Sequence, residues 1–277
     1  MIFTVFGGSG FIGGQLVKHL QNQKYHVYLP ERGTITPAGS SLGHVIYAIG
    51  LTGDFRSRPY DTIAAHVSHL AQLMQANTFD SWLYLSSTRM YSGLPASAIA
   101  NEQVAIPIMP NSDSLYDLSK MLGESICLTH PSHHVRVARL SNVYGPGQSA
   151  HTFLGSILTD LNDSKNVLIH ETSDSCKDYV SLDDILPLLQ TITTRGKSRL
   201  YNVASGQLTT HHVLSAKLIE ITGATIAFSK TATKRSFPPI DIQLVKDEFD
   251  FTPTSVLDNL PNLVFNFNAQ HSYPRSK

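Results

Sequence analysis

Apolar residues along the chain fall into short runs that alternate with longer amphipathic segments. The short runs are rich in β-branched and aromatic residues and have the length of buried strands. They occupy residues 2–6, 26–29, 45–49, 82–86, 135–140 and 200–203. Between them, apolar residues recur at helical spacing over residues 11–21, 62–76 and 116–128. This alternation predicts an α/β protein with a doubly wound parallel sheet and helices on both faces.

The rhythm changes where proline and glycine cluster, at residues 145–147. A further helical pattern and shorter elements follow that cluster to the end of the chain. We therefore expect a main domain over residues 1–145 and a small C-terminal lobe over residues 146–277. Within the second part, the segment at residues 177–203 is predicted to return to the main domain.

The first predicted strand runs directly into a glycine-rich turn and then into the first helix. The turn reads Gly7-Gly8-Ser9-Gly10-Phe11-Ile12-Gly13. Glycines at this spacing permit a tight turn at Gly7, the approach of a pyrophosphate to the main chain at Gly10, and close helix–strand packing at Gly13. The helix N-terminus, at Phe11 and Ile12, faces the phosphates in such a site. The pattern predicts a Rossmann-like dinucleotide-binding domain.

The ends of the second and third predicted strands carry candidates for the rest of the dinucleotide site. Glu31 follows the second strand, where a carboxylate accepts hydrogen bonds from the adenosine ribose and favours NAD. Arg32 beside it suits a 2′-phosphate instead, so NADP stays open as the alternative cofactor. Ile49 and Gly50, at the end of the third strand, are further candidates for cofactor contact.

Tyr116 and Lys120 stand four residues apart on the third predicted helix, and Ser87 closes the preceding apolar run. Spacing by four places both side chains on one helix face. Tyrosine is a weak base at its ordinary pKa of about 10, but a neighbouring ammonium and a cationic nicotinamide ring both favour the phenolate. Tyr116 is therefore the candidate acid–base. Ser87 would hydrogen-bond the same substrate oxygen, and Lys120 would also reach the nicotinamide ribose.

Composition narrows the class of partner. Of 277 residues, 42% are hydrophobic, enough for one large core or one core with a smaller lobe. The 21 basic residues balance 21 acidic ones without a long run of either sign, which predicts a small-molecule partner and neither nucleic acid nor membrane. Cys127 and Cys176 lack metal-ligand spacing, and no apolar run is long enough to cross a bilayer. We expect a soluble cytoplasmic protein without a metal.

Taken in this order, the motifs resemble those of the extended short-chain dehydrogenases/reductases, in the NAD-dependent nucleotide-sugar epimerase and dehydratase group. The resemblance covers nearly the whole chain. The matching segments are residues 7–13, 83–91, 116–124, 139–147, 177–184 and 201–206. The resemblance implies an enzyme that acts on a nucleotide sugar, with Ser87 rather than Ser86 as the catalytic serine.

The resemblance also implies contacts to the nucleotide. Asn142 falls where relatives contact the nucleotide diphosphate of the substrate. Lys177 stands where many relatives have an arginine, and Lys234 or Arg235 could supply a second cation. These residues are expected to line the substrate side of the site.

Three departures from the family pattern change the expectations. Only residues 32–43 separate the acid from the next strand, and because a βαβ unit needs roughly 30 residues, one strand and its helix are predicted to be missing, with a more open adenine pocket. His66 replaces an asparagine and forms an i, i+3 pair with His69, without an evident third metal ligand. Thr88 and Arg89, both candidate substrate contacts, replace an Asp-Glu pair of sugar-nucleotide 4,6-dehydratases, which argues against elimination.

Two redox functions remain open. In an epimerase, NAD takes a hydride from the sugar, Tyr116 takes the hydroxyl proton, and the hydride returns to the other face of the ketone. In a keto-sugar reductase, NADPH delivers the hydride once and Tyr116 protonates the alkoxide. We favour the epimerase; a cofactor-sensing protein without turnover is a third alternative. The resemblance further implies a homodimer, formed through the helices at residues 62–76 and 116–128.

Overall fold

The computed structural model describes residues 1–31 and 41–271, with side chains described as far as Phe267. The strands are β1 (Ile2–Phe6), β2 (His26–Tyr28), β3 (His44–Tyr47), β4 (Ser81–Ser87), β5 (Val135–Leu140), β6 (Asn142–Tyr144), β7 (Asn166–Glu171), β8 (Cys176–Ser181), β9 (Leu200–Val203), β10 (Leu208–Thr210) and β11 (Thr225–Thr233). The α-helices are α1 (Phe11–Asn22), α2 (Pro59–Ile63), α3 (His69–Ala76), α4 (Leu115–Thr129), α5 (Phe153–Asp163), α6 (Leu182–Arg195), α7 (His211–Thr222), α8 (Gln243–Phe249) and α9 (Val256–His271).

A six-stranded parallel sheet in the order β2-β1-β3-β4-β5-β9 organises the larger part of the molecule. The predicted doubly wound α/β fold is confirmed. The chain runs outward from β1 to β2 and then crosses to β3 on the other side of β1, and open α/β sheets bind ligands at this kind of switch point. In the described part of the chain β2 pairs with β1 alone. Residues 32–40, most of the connection predicted to be shortened, lie outside the described residues.

Helices cover both faces of this sheet because each has one apolar stripe. On one face α1 and α6 pack through side chains that include Leu16, Leu20 and Leu189. On the other face α3 and α4 cover a core that includes Leu70 and Trp82. Burial of each large apolar side chain stabilises the fold by about 1.5–3 kcal/mol. The helix pair α3 and α4 thereby brings Tyr116 and Lys120 beside the strand ends.

The C-terminal lobe has its own small sheets and core. Strands β10, β8 and β6 form one sheet, and β11 pairs with β7 in a second. Helices α5, α7 and α9 cover them with an apolar core that includes Leu158, Leu218 and Leu260. Strand β8 pairs within the lobe, although its Val180 packs into the core of the main domain. Helix α6 and strand β9 then return fully to the main domain.

Differences from the predicted bounds have local causes. The helix predicted at residues 62–76 begins at Pro59, where the fixed proline φ suits a first turn, and contains a π-helical turn, Ala64–Ser68, between α2 and α3. A π turn is rare, and the spacing of apolar residues at 3.6 per turn does not reveal it in the sequence. Across residues 1–31 and 41–271, no helix is long and apolar enough to span a membrane.

Candidate active site

The turn between β1 and α1 leaves backbone space that side chains would fill. Gly7 has a φ of +83°, and a Cβ there would lie 2.8 Å from the carbonyl group of Ala48. A Cβ on Gly13 would collide with the carbonyl oxygen of Gly7. Gly10 caps α1, and its Cβ would meet only that same oxygen, at 3.3 Å. The space in front of the first N–H groups of α1 therefore fits the pyrophosphate of a dinucleotide.

A cavity of about 430 Å³ extends from this turn to the C-terminal lobe. Its volume is in the range of small-molecule sites. The predicted site residues that line it are Gly10, Phe11, Ile12, Gly13, Ile49, Gly50, Ser87, Thr88, Arg89, Tyr116, Lys120, Asn142, Lys177 and Arg235. They come from the carboxyl ends of parallel strands, from α1 and α4, and from the lobe, so the fold gathers segments that are distant in sequence.

Other residues predicted for the site lie away from the cavity wall. Gly7 shapes the turn beneath it. Glu31 is exposed beyond the end of β2 and does not line the described cavity. Arg32 lies outside the described residues. Lys234, the alternative second cation, pairs with Asp174 at the surface, with Nζ 2.5 Å from the carboxylate.

Tyr116 and Ser87 meet where the first turn of α4 lies against the end of β4. Burial raises the pKa of Tyr116 to about 12, while a hydrogen bond with Ser87 and the charge of Arg89 act in the opposite direction. The Ser87 hydroxyl oxygen also accepts a hydrogen bond from the backbone N–H of Arg89, at 3.1 Å. The phenol is therefore protonated at neutral pH, with a hydroxyl and a guanidinium beside it.

Lys120 is buried one helical turn beyond Tyr116. Its Nζ donates a hydrogen bond to the carbonyl oxygen of Leu85, at 2.8 Å, and lies 4.9 Å from the centre of the Tyr84 ring. Burial lowers the pKa of Lys120 to about 7, although the carboxylate of Glu124 acts in the opposite direction. The ammonium group thus loses its proton far more readily than an exposed lysine.

The lobe end of the cavity is cationic and aromatic. Lys177 Nζ donates to the carboxylate of Glu171 at 2.7 Å and lies 4.8 Å from the centre of the Phe153 ring. The Nε atom of Arg235 lies 3.6 Å from the same carboxylate, and Phe237 lines the wall beside these residues. Burial lowers the pKa of Lys177, while the hydrogen bond to Glu171 raises it. Cations next to flat rings suit a phosphorylated nucleotide.

Sequence reasoning missed Gln148 on the cavity wall. It is 7% exposed, and neither atom of its side-chain amide has a hydrogen-bond partner among the described residues. The one available signal is a long polar residue directly after the glycine–proline cluster at residues 145–147. Asn142, by contrast, was predicted for the site and donates through Nδ2 to the backbone oxygen of Asp178, at 2.8 Å.

The two histidines that suggested a metal pair have separate surroundings. His66 Nδ1 lies 2.8 Å from the hydroxyl oxygen of Ser119. The ring of His69 packs against the rings of Phe6 and Tyr47. In the described ranges, no group of three His, Cys, Asp or Glu side chains is arranged to hold a metal ion.

Comparison with known proteins gives one family and several relatives. The NAD dependent epimerase/dehydratase family matches residues 42–204, which are more than half of the chain. A dTDP-glucose 4,6-dehydratase from Streptomyces griseus is 27% identical over 262 residues, which cover 79% of this chain and 78% of that protein.

Solved structures resemble the whole fold. RMD from Pseudomonas aeruginosa, complexed with NADPH, aligns with a TM-score of 0.79 at 22% identity and covers 97% of this chain and 99% of its own. A UDP-glucuronic acid 4-epimerase from Bacillus cereus, in complex with NAD, aligns with a TM-score of 0.79 at 18% identity over 100% of this chain and 99% of its own. At these identities the likeness is one of fold.

Proposed function

The chain belongs to the NAD-dependent epimerase/dehydratase family, and from this premise we propose that it catalyses hydride transfer at a hydroxyl- or keto-bearing carbon of a nucleotide sugar. A nicotinamide cofactor, when bound, accepts or supplies the hydride. One observation carries the proposal: Tyr116 and Ser87 lie on a cavity wall between the glycine turn at residues 10–13 and the cationic end at Lys177. A cofactor and a nucleotide sugar can therefore meet at the tyrosine.

Tyr116 is the acid–base of this proposal. In the reducing direction its hydroxyl, protonated because burial raises its pKa to about 12, donates a proton to the substrate alkoxide. In the oxidising direction the phenolate accepts the proton of a substrate hydroxyl, and the hydrogen bond from Ser87 and the charge of Arg89 favour that phenolate. Ser87 would hold the same substrate oxygen in both directions.

Lys120 and the glycine turn would hold the cofactor. The buried Nζ of Lys120, fixed by the Leu85 carbonyl, would bind the nicotinamide ribose and add positive charge near Tyr116. The N-terminus of α1 would bind the pyrophosphate. At the other end, Lys177 and Arg235 would bind the substrate diphosphate, with Asn142 near them.

The scarcity of acidic side chains among the described residues of the cavity wall favours hydride transfer without elimination. Among the described residues of the wall, the single carboxylate is Asp178, which accepts hydrogen bonds from the Ser205 hydroxyl and from the backbone N–H of Gln207. Thr88 and Arg89 offer no carboxylic acid. Elimination of a sugar hydroxyl requires a proton donor in addition to the tyrosine, so we do not propose the reaction named for the Streptomyces griseus relative.

We favour epimerisation, in which the hydride would return to the substrate and the cofactor would be regenerated. A keto-sugar reductase that uses NADPH is the alternative, favoured by the compact C-terminal lobe. A cofactor-sensing protein without turnover is the third candidate, and the meeting of Ser87, Tyr116 and Lys120 on one wall argues against it.

Mass spectrometry tests the proposal. The protein is purified in its native state and then denatured, and any cofactor that it releases is identified. Tightly retained NAD supports epimerisation, and an empty protein that binds NADPH supports reduction. A protein that neither retains nor binds either dinucleotide contradicts hydride transfer. Calorimetry of a Glu31→Ala variant then tests cofactor choice: we expect weaker NAD binding relative to NADP, since a ribose contact and a charge that repels the 2′-phosphate are both removed.

A further inference from the structure

His66 lies between two segments of the cavity wall, the loop that contains Gly50 and the helix that carries Tyr116. It is fully buried in the π-helical turn Ala64–Ser68. On one side of its ring is the backbone of Gly50 and Leu51, in the loop after β3, and on the other is the first turn of α4, which carries Tyr116. Single π turns inside helices occur frequently at functional sites.

The hydrogen bonds of His66 define its tautomer. The hydroxyl of Ser119 donates to the carbonyl oxygen of Tyr116, at 2.8 Å, so its oxygen accepts from His66 Nδ1–H, also at 2.8 Å. On the other side of the ring, Nε2 accepts a hydrogen bond from the backbone N–H of Leu51, at 3.2 Å. One neutral imidazole with its proton on Nδ1 satisfies both contacts. A protonated ring could not accept from Leu51.

Packing around the ring is equally specific. The His66 ring meets the Tyr116 ring edge to face, with centroids 5.3 Å apart and planes at 85°. A Cβ on Gly50 would lie 3.2 Å from His66 Nε2 and 3.3 Å from Lys120 Nζ, so the Gly50 backbone runs close to both. Burial, with a further contribution from the charge of Lys120, lowers the pKa of His66 to about 2. The ring therefore stays neutral over the working range of an enzyme.

We propose that His66 is a positioning residue, whose neutral ring fastens the Gly50–Leu51 backbone to the helix of Tyr116 and Lys120. It thereby fixes the distance between a cofactor-facing loop and the proton-transferring side chain. The inference rests on the function proposed above. The two contacts need a hydrogen-bond donor at Nδ1 and an acceptor at Nε2. Each contact can therefore be removed by a different substitution.

The tautomer is tested by NMR of the native protein labelled with ¹⁵N-histidine. The His66 signal is identified by its loss in His66→Phe. We expect a ring protonated on Nδ1 that does not titrate between about pH 5 and pH 9, unlike exposed histidines. A His66 signal that titrates in this range, or that carries its proton on Nε2, would overturn the proposal. This measurement requires no cofactor, so its outcome is independent of the proposed reaction.

Three variants separate the two contacts. His66→Gln can place its amide oxygen near the position of Nε2 and keep the Leu51 contact, whereas His66→Asn can keep the donor toward Ser119. His66→Phe retains an aromatic ring and loses both. By fluorescence titration, we expect NADH to bind His66→Gln within a few-fold of wild type and His66→Phe about tenfold more weakly, because the part-buried N–H of Leu51 loses its acceptor. Equal NADH affinity in all three variants would overturn the proposal.

Two further variants complete the design. His69→Phe is the matched control in the same helix, since its ring contacts are apolar, and should leave NADH affinity unchanged. Should His66→Phe fail to fold, Ser119→Ala breaks the link to α4 alone. We expect Ser119→Ala to shift the Nδ1 signal of His66 and to weaken NADH binding less than His66→Phe does, because the Leu51 contact remains. An unshifted signal would contradict the link. Absence of NADH binding to wild type would instead contradict the proposed function and leave the NMR result to decide on His66.

Discussion

The guanidinium carbon of Arg89 lies 5.2 Å from the centre of the Tyr116 ring and 4.9 Å from that of Phe55. Arg89 follows the strand that ends at Ser87, whereas Tyr116 begins the next long helix. Their approach sets a permanent cation beside a buried phenol. The charge opposes the effect of burial on the pKa of Tyr116 and so favours the phenolate that proton removal requires.

Tyr116→Phe should abolish turnover and leave cofactor binding within a few-fold. The hydroxyl serves proton transfer, and an acid–base group typically contributes about 10²- to 10⁴-fold in rate. Steady-state rates on an authentic substrate, together with NADH titration, measure the two effects separately. Near-normal turnover by the variant would refute the acid–base role.

Lys120→Met should increase the free energy of unfolding. The increase should be largest at neutral pH and below. The folded-state pKa of Lys120 is about 7, against about 10.4 for an unfolded lysine. Between these values the unfolded chain binds the extra proton, so this group makes wild type more stable as pH rises. The variant lacks that titration, and its advantage in free energy of unfolding should shrink as pH rises from about 7 to about 10.

Urea unfolding of both proteins over this pH range measures the difference, in which other groups largely cancel. A difference independent of pH would show that Lys120 does not titrate as its burial requires. The same variant should bind cofactor more weakly and turn over more slowly, because Lys120 is proposed to contact the ribose and to act on Tyr116. Titration curves equal to those of wild type would contradict that double role.

Gly10→Ala and Gly13→Ala should separate ligand access from folding. A Cβ on Gly10 meets only the Gly7 oxygen, at 3.3 Å, so the variant should fold and lose dinucleotide affinity. A Cβ on Gly13 collides with that oxygen, and the strain should lower the free energy of unfolding by about 1–3 kcal/mol. Thermal unfolding and NADH titration check both. If the folded Gly10→Ala variant binds NADH with wild-type affinity, the pyrophosphate does not bind next to Gly10.

Gln148→Leu should stabilise the ligand-free protein and weaken ligand binding. The amide is buried without a partner among the described residues, and its replacement by an apolar group removes a desolvation penalty of about 1–3 kcal/mol. Thermal unfolding measures the gain. Calorimetry with NADH and with UDP-glucose identifies which ligand uses the amide, and unchanged affinity for both would contradict a role in binding.

The protein is predicted to be a homodimer that pairs α4 and the helix over residues 59–76 with their copies. Leu122 on α4 is 50% exposed, and Leu118 and Ile126 of the same stripe are partly exposed. An exposed apolar stripe suits a two-fold contact. Leu122→Glu should shift sedimentation at micromolar concentration from dimer to monomer. Leu168→Glu, which changes a leucine 53% exposed in the lobe, is the matched control.

A monomeric wild type would contradict the dimer. A Leu122→Glu variant that remains dimeric would show that the interface lies on another surface.

Features that depend on local patterns of residues could be predicted before folding is considered. Strands β1, β5 and β9 agree with their predicted bounds, because each is a short and mainly apolar run. Tyr116 and Lys120 share a face because four residues make about one helical turn. The glycine turn was also readable, since Gly7 and Gly13 occupy positions where a Cβ would meet backbone.

Features that depend on distant segments and on burial can be seen only in the folded protein. Nothing in the sequence near His66 indicates Leu51 and Ser119 as its partners, because the ring joins the loop after β3 to helix α4, and these segments are far apart in sequence. The charge state of Lys120 likewise depends mainly on desolvation by the surrounding fold, which outweighs the opposing charge of Glu124 in the same helix. Gln148 looked like an ordinary loop residue until folding buried its amide, since burial is a property of the assembled layers.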